Sequence, residues 1–416
     1  MLHALLISTD SATADLLSRV IRQTGQISLD QVYSCAPTHY QLSRTLNTLA
    51  LDVAFVDMRN RAHTELVRSE IAKRANGTAI VGFSPDPDAY LPGLVPFTLS
   101  LPFSPSNVQD MVQRAIRSCH QRPLSNVFAL VSTKGGGGAT SITLNVAAHL
   151  SSSFKKTVLV AEADLRFGTI SDWINARPAE SIAQTLACAD SCMSLIWPRH
   201  VCRKFGVDWM LTARDRSLPQ PHWFDYHHLL RFVSQRYETT LVDLPHLLEP
   251  ASTEIVQLAQ TVFVVTTAEV LSLRLARQRI SELESIGVPK SRIKLLVNRL
   301  ESRDLQPDDI ERTIDCEVGG VFPNDYPAVS DAILEGEFLR ANTRLGRSYR
   351  AFAEAIADGV FGAAEMPAGV RAAAAGAGAG GIRPTLHLES ARSLFGAFIG
   401  SRRATAVMSS LLAQKQ

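Results

Sequence analysis

The chain has 416 residues, enough for two or three domains with substantial cores, so one domain is too few. A formal net charge of +2, with 20% charged residues, argues against a protein held to nucleic acid by bulk electrostatics. The six cysteines lack a disulfide-like spacing, which favours reduced thiols. No apolar stretch approaches the roughly 18 to 20 residues of a membrane span, and the N-terminus does not read as a signal peptide. We therefore expect a cytoplasmic protein without an integral membrane segment.

Residues 1–122 alternate short β-branched runs with helical periodicity, the pattern of parallel β/α units. Five strands and five helices predict one doubly wound α/β domain. Pro123 separates this domain from the rest of the chain, because the residue before a proline disfavours helical geometry. The predicted strands are Ala4 to Ser8, Leu29 to Ser34, Val53 to Asp57, Ala79 to Phe83 and Phe97 to Leu101.

The same alternation resumes over residues 125–362 and predicts a second, larger α/β domain. Residues 363–383 are rich in alanine and glycine, the composition of a mobile linker. The tail, residues 384–416, fits either a disordered segment or a short amphipathic helix that binds a partner or a membrane surface. The strands of the second domain are expected near Phe128, Val158, Trp209, Leu241, Val262 and Lys294.

A glycine-rich turn joins the first strand of the second domain to a helix predicted to begin at Thr140. Such a turn exposes backbone N–H groups, and the helix N-terminus adds partial positive charge, so an anion is expected there. The usual phosphate loop places a lysine directly before its Ser or Thr. This chain has Ala139 at that position and Lys134 five residues earlier, so binding is more secure than hydrolysis. The residues predicted to contact the phosphates are Lys134, Gly135, Gly136, Gly137, Gly138, Ala139, Thr140 and Ser141.

Three further strand ends fit the same site. Asp164 follows an apolar strand beside the loop, where it would orient a water near the γ-phosphate. Asp243 ends another strand and, together with Thr140, would hold Mg²⁺ and its water shell. Asn298 and Arg299 end a third strand and could face a nucleotide base. A phosphorylated nucleotide and Mg²⁺ are thus the expected ligands of this site.

In these motifs the sequence resembles the ParA/MinD superfamily of deviant P-loop ATPases, and within it the TadZ/CpaE proteins of Flp (tight adherence) pilus assembly. The resemblance covers about residues 1–360. It implies a homodimer in which Lys134 reaches the phosphates bound by the other subunit, and partners among the pilus secretion components, either the secretion ATPase or inner-membrane platform proteins. It also implies a position at the cell pole or on the inner membrane. The segments that resemble this branch are Asp164 to Thr169, Leu241 to His246, Thr266 to Glu269 and Phe322 to Tyr326.

The predicted catalytic pair is Asp164 with Lys134, and Pro323 joins the predicted cofactor contacts. Because Ala139 replaces the lysine of the usual loop, the chain lacks a charge-assisted phosphate contact worth on the order of 2 kcal/mol if buried. The remaining loop amides, Thr140, Mg²⁺ and Lys134 would still bind ATP. Hydrolysis should be weak or slow, because that lysine stabilises the transition state electrostatically.

The first domain resembles a response-regulator receiver. Asp57 ends the third strand, where the phospho-accepting aspartate would stand. The acidic pair after the first strand is reduced to Asp10, and Leu101 occupies the position of the expected lysine. These losses predict a degenerate receiver used for docking or dimerisation, with Asp57 as a remnant of the phospho-acceptor.

The favoured function is a nucleotide-dependent assembly switch. A nucleotide-independent scaffold is a second hypothesis. DNA partitioning is a third; it would need a basic surface, for which Arg274, Arg277 and Arg279 are candidates, but a solvated helix face is preferred and nucleic acid is not expected as a partner. A fourth hypothesis is a MinD-like cycle of membrane binding and release through the tail.

Overall fold

The computed structural model describes residues 1–74, 77–84, 95–119, 123–187, 193–212, 220–302 and 304–361, with the side chains of 193–196 left out. The predicted linker, 363–383, and the predicted tail, 384–416, lie outside the described residues.

The first sheet has five parallel strands in the order β2-β1-β3-β4-β5. This is the strand order of flavodoxin-like doubly wound sheets, and all five predicted strands are present. The strands are β1 (Leu2–Ile7), β2 (Ile27–Tyr33), β3 (Val53–Asp57), β4 (Ala79–Ser84) and β5 (Thr98–Ser100). The helices in the described part of this region are α1 (Ser11–Gln23), α2 (His39–Thr48), α3 (Arg61–Arg74) and α4 (Pro105–Cys119).

The second sheet has eight strands in the order β13-β12-β11-β6-β10-β7-β9-β8, parallel except for the β8–β9 pair. The six predicted strands are all present. The two edge strands, β8 and β13, were not predicted, since both are only partly buried and β8 has only three residues. The strands are β6 (Leu124–Ser132), β7 (Val158–Glu162), β8 (Cys202–Lys204), β9 (Val207–Met210), β10 (Thr239–Leu244), β11 (Ala259–Thr267), β12 (Ile293–Leu300) and β13 (Val318–Pro323).

Helices cover both faces of this sheet, so the central strands bury apolar side chains on both faces. In β6, Val127 and Ala129 pack into the core on one face, whereas Phe128 and Leu130 pack into the core on the other. The helices are α5 (Ala139–Ser152), α6 (Ile170–Trp173), α7 (Ile182–Ala187), α8 (Met193–His200), α9 (Trp223–Ser234), α10 (Thr253–Leu258), α11 (Val270–Ser285), α12 (Pro307–Ile314), α13 (Tyr326–Glu335) and α14 (Arg344–Ala357).

The two sheets belong to one compact unit, and α9 joins them. Phe224, only 2% exposed, packs into the hydrophobic core of the first sheet. His228 Nε2 lies 3.0 Å from Asp52 Oδ1, and Arg117 Nε donates to Glu254 Oε2 at 3.2 Å. The chain therefore passes near Pro123 from one sheet to the other, and the two sheets are in contact through α9 and the Arg117–Glu254 pair. No helix among the described residues is long and apolar enough to cross a membrane.

Candidate nucleotide site

The glycine loop joins β6 to α5, which begins at Ala139, one residue before the predicted start. Gly136 (φ +75°) and Gly138 (φ +100°) adopt left-handed backbone conformations that side-chain-bearing residues rarely take. A Cβ on Gly138 would lie 2.1 Å from Asn298 Nδ2, and one on Gly137 would lie 2.8 Å from Ser132 Oγ. The loop therefore needs glycine both for its backbone angles and for its close packing.

Two side chains of β12 hold the loop. Asn298 Nδ2 donates to the Gly137 carbonyl at 2.9 Å, and an Arg299 guanidinium nitrogen donates to the Gly136 carbonyl at 3.0 Å. The sequence predicted that this pair lies near a base; the structure places both side chains against the loop backbone, and a contact with adenine stays a prediction. Their observed contacts fix the loop carbonyls.

An open cleft of about 510 Å³ lies over the loop and the helix N-terminus. Most of the predicted phosphate contacts line it, together with Asp164 and Asp243. Three predicted contacts do not: Gly137, Asn298, and Pro323, which ends the edge strand β13 and pairs with Leu300. The remaining lining residues come from the ends of β6 and β12, from the loops after β7 and β10, and from α6 and α13: Ser132, Phe167, Gly168, Thr169, Asp172, Trp173, Leu244, Pro245, His246, Arg299 and Ile333.

Asp243 is the most perturbed acid of the cleft. It is 4% exposed; its Oδ2 accepts a 2.7 Å hydrogen bond from Thr140 Oγ1, and its Oδ1 has no hydrogen-bond partner among the described residues. Burial raises the pKa of this carboxyl to about 7; the Thr140 hydrogen bond opposes the rise, and the nearby charges of Glu162 and Asp164 add to it. No positively charged residue that the structure describes near Asp243 therefore offsets the cost of ionising this buried carboxyl.

Glu162 is a buried acid whose role the sequence did not reveal. Asp243 and Glu162 are register partners on neighbouring strands. The Glu162 carboxylate accepts from Ile170 N at 2.7 Å and from Thr212 N at 2.9 Å, and a Cβ on Gly168 would fall within 2.5 Å of it. Burial raises its pKa despite these hydrogen bonds. Glu162 thus shapes the loop after β7; its position at a strand end, two residues before Asp164, was the available signal.

Asp164 lines the cleft as predicted, but it also closes its own loop. Its Oδ1 accepts from Phe167 N at 2.9 Å and from Arg166 N at 3.2 Å, and its carbonyl accepts from Thr212 Oγ1 at 3.1 Å. The carboxylate is therefore held in the loop after β7, and Asp164 lines the cleft. Its action on a water stays a prediction.

These residues fit a divalent cation. The carboxylate oxygen of Asp243 that lacks a partner in the described part of the chain, the adjacent Thr140 hydroxyl and the clustered acids supply the hard oxygen ligands and negative charge that Mg²⁺ prefers. Thr140 and Asp243, predicted as a metal pair from positions 103 residues apart, are in direct contact.

Lys134 contacts a residue of its own chain. Its Nζ lies 2.6 Å from Glu269 Oε2, and the two side chains are 37% and 67% exposed. The Lys134 hydrogen bond and charge lower the pKa of Glu269. Glu269 is the N-cap position of α11, so Lys134 rests beside the cleft at the start of that helix. An exposed ion pair of this kind is weak and can be exchanged for another anion.

The other predicted acid, Asp57, is fully buried at the end of β3 in the first sheet. Its Oδ2 accepts from Thr9 N at 2.9 Å, and its Oδ1 accepts from Arg59 Nε at 3.0 Å. Burial acts to raise the Asp57 pKa, but the hydrogen bonds from Arg59 and Thr9 outweigh it and lower the pKa. Arg59 also pairs with Asp10, so one guanidinium neutralises both acids. The sequence reasoning missed Arg59, although a basic residue two positions after Asp57 was a visible signal.

The structure excludes Arg279 from the candidate basic surface on α11. Arg279 is 8% exposed, forms an ion pair with Glu282 at 2.7 Å and donates to the carbonyl oxygen of His246. It therefore faces the protein interior and the loop after β10, and it is not available to a nucleic-acid backbone. Arg279 belongs neither to the proposed DNA surface nor to a solvated face.

Comparisons with known proteins bear on the fold of part of the chain. No protein-family model matches the chain. The septum site-determining protein MinD of Thermotoga maritima is 24% identical over 247 residues, which cover 56% of this chain and 88% of that protein. MinD of Synechocystis sp. is 25% identical over 215 residues, which cover 50% of this chain and 79% of that protein.

The crystal structure of a ParA family ATPase from Chlorobium tepidum superposes with a TM-score of 0.51 and 23% identity, covering 55% of this chain and 99% of that one. The chain is a homologue of the MinD/ParA P-loop ATPases. The superposition covers 55% of this MinD/ParA homologue, and the ParA/MinD-type α/β fold is established for that part of the chain.

Proposed function

We propose that this MinD/ParA homologue is a nucleotide-dependent assembly switch that binds Mg·ATP in the cleft and dimerises face to face. The observation that carries the proposal is the buried Asp243: its Oδ2 accepts a hydrogen bond from Thr140 at the start of α5, and its Oδ1 has no partner among the described residues. An uncompensated buried carboxylate is unfavourable unless protonated or paired with a cation. Mg·ATP supplies that cation together with an anion for the loop.

Dimerisation rests on Lys134, whose exposed pair with Glu269 leaves it beside the cleft entrance. In the proposed dimer, Lys134 exchanges Glu269 for the phosphates bound by the other subunit. Because the phosphates carry more charge than one carboxylate, ATP would drive this exchange. Nucleotide occupancy and dimer formation would then be linked.

Slow turnover is expected from Ala139. This buried small residue stands where the usual loop has its phosphate-binding lysine, so the transition state loses one electrostatic stabiliser. Asp164 is the residue proposed to orient the attacking water. We expect a switch that holds ATP for long periods.

The finer proposal is a role in Flp pilus assembly, supported by the TadZ/CpaE-like segments around Asp164, Asp243, Glu269 and Pro323. The first sheet supports it through its flavodoxin-like order, which fits a receiver-like module. In that module the Arg59 guanidinium pairs with both Asp57 and Asp10. We therefore propose that the module serves in docking and that Asp57 does not accept a phosphoryl group. The pole of the cell, and secretion components bound there, are the proposed location and partners.

Calorimetry with Mg·ATP and mass measurement of the purified chain test the switch. We expect wild type to bind ATP and to form dimers only with Mg·ATP. Lys134→Ala should bind with similar affinity yet stay monomeric, because Lys134 serves the other subunit. Lys156→Ala is the matched control, since Lys156 pairs with Glu238 away from the cleft and should dimerise like wild type. Equal dimerisation of all three proteins with and without ATP would establish a nucleotide-independent scaffold instead.

A further inference from the structure

We propose that Arg279 is a positioning residue of the nucleotide site, which fixes the loop after β10 and thereby holds Asp243 where it can bind magnesium. The inference rests on the proposed Mg·ATP binding and assigns one more residue to it. The observation behind it is the contact between the Arg279 guanidinium and the carbonyl oxygen of His246.

Burial makes this contact costly to break. Arg279 is 8% exposed, and its Nε has no hydrogen-bond partner within the described ranges. A buried guanidinium is tolerated only while its remaining N–H groups find acceptors. The His246 carbonyl and the Glu282 carboxylate, 2.7 Å away, are those acceptors. Withdrawal of the loop would leave the guanidinium with Glu282 as its remaining partner among these contacts.

The contact acts close to the metal acid. His246 follows Asp243 by three residues and lines the cleft, and three residues span at most about 10 Å of chain. Leu244, between them, is buried and packed in the core of the second sheet, which leaves little slack. Asp243 is paired with strands on both sides, and the Arg279 contact fixes the chain just after it leaves β10.

A second tether on the same loop shows what Arg279 adds. Arg166 Nε pairs with Glu249 Oε1 at 2.9 Å, but Arg166 is 61% exposed, so this pair is screened and weak. Arg279 is the buried tether. It also lies on α11, about 15 Å along the helix from Glu269, the residue that holds Lys134. One helix thus contacts both the loop after Asp243 and the lysine proposed to reach the other subunit.

The test compares ATP affinity with saturating Mg²⁺ and with EDTA, by calorimetry on the full chain. For wild type we expect Mg²⁺ to strengthen binding clearly. For Arg279→Met we expect the ratio of the two affinities to fall at least fivefold, while the affinity in EDTA changes less than twofold, because the glycine loop itself is untouched. Glu282→Gln keeps the His246 contact and is the matched control, with a ratio near that of wild type.

A purely structural role would lower both affinities of Arg279→Met in proportion, or only its Tm, and either result overturns the proposal. If Arg279→Met does not fold, Arg279→Gln carries the same test, with the same expected fall and the same contradicting result. Failure of wild type to bind ATP in either buffer would overturn the nucleotide site and this proposal with it. Binding by wild type with an unchanged ratio in the variants would overturn the role of Arg279 alone.

Discussion

Two buried aspartates lie at or next to the C-terminal ends of inner strands, one in each sheet, and their neighbours shift their pKa values in opposite directions. Asp57 is neutralised by Arg59, with further hydrogen bonds from Thr9, and its pKa is lowered. Asp243 has a hydroxyl partner, Thr140, and two acidic neighbours, and its pKa is raised to about 7. A strand-end acid is thus a cation site only where the chain does not provide the cation itself.

The largest expected effect comes from removing each charge in turn. Asp243→Asn should stabilise the nucleotide-free protein at pH 8 by about 2 to 4 kcal/mol, because a shift of about three pKa units corresponds to roughly 4 kcal/mol before relaxation. It should also abolish the strengthening of ATP binding by Mg²⁺. Urea denaturation and calorimetry measure the two effects.

Asp57→Asn is the matched control, and it should lower the free energy of unfolding where Asp243→Asn raises it. It leaves Arg59 with Asp10 as its remaining carboxylate partner and should destabilise the protein by about 2 kcal/mol, less than for a fully buried pair because Arg59 is partly exposed. ATP affinity should not change. Destabilisation by both substitutions would contradict the contrast drawn between the two acids.

The pH dependence sharpens the same comparison. Since the folded-state pKa of Asp243 is raised, the nucleotide-free protein should lose stability as pH rises from about 4 to 7. Protons compete with Mg²⁺ at this acid, so Mg·ATP affinity should fall about tenfold from pH 8 to pH 6. Calorimetry at both values should show the fall in wild type and none in Asp243→Asn. Asp57, with its lowered pKa, contributes stability that is lost only as pH falls below about 4.

Removing the Arg59 guanidinium should make the site around Asp57 resemble the site around Asp243. Arg59→Ala leaves Asp57 and Asp10 without their guanidinium and should cost about 2 kcal/mol of stability. Millimolar Mg²⁺ should then raise the Tm of the variant by a few degrees in the absence of nucleotide. The Tm difference between variant and wild type, with and without Mg²⁺, is the measurement. An equal response of both proteins would show that Arg59 does not substitute for a metal.

The smallest expected effect concerns Lys134. Glu269→Gln releases this lysine from an exposed ion pair, so dimers should form at a two- to threefold lower ATP concentration. Analytical ultracentrifugation across an ATP titration measures the midpoint. A Glu238→Gln variant, which removes a comparable exposed pair with Lys156, should leave the midpoint unchanged.

The strands and the meeting of the principal site residues could be predicted from sequence. Parallel strands deliver their C-terminal residues to one edge of a sheet, so the loop, Asp164, Thr140 and Asp243 had to converge once the strands were recognised. The left-handed glycines can be expected for a similar reason, because a tight turn between strand and helix needs positive φ.

The pairing of charged side chains could not be predicted. Arg279 lies on a helix of mixed polar and apolar residues, and its low exposure and its contact with His246, 33 residues earlier, show that it points inward. Lys134 and Glu269 are 135 residues apart, and Asn298 could have faced either a base or the loop. Such choices depend on the local competition between burial and available acceptors, which the order of residues does not display.

The position of Phe224 has a practical consequence for anyone dividing this protein. A chain trimmed to begin at Leu124 would uncover an aromatic ring that normally sits in the core of the first sheet, and it would take Arg117 away from the buried Glu254. The remaining part would expose this apolar ring, and Glu254 would keep His227 but lose its arginine partner. Fragments cut near Pro123 would therefore differ from the intact protein at the contact between the two sheets.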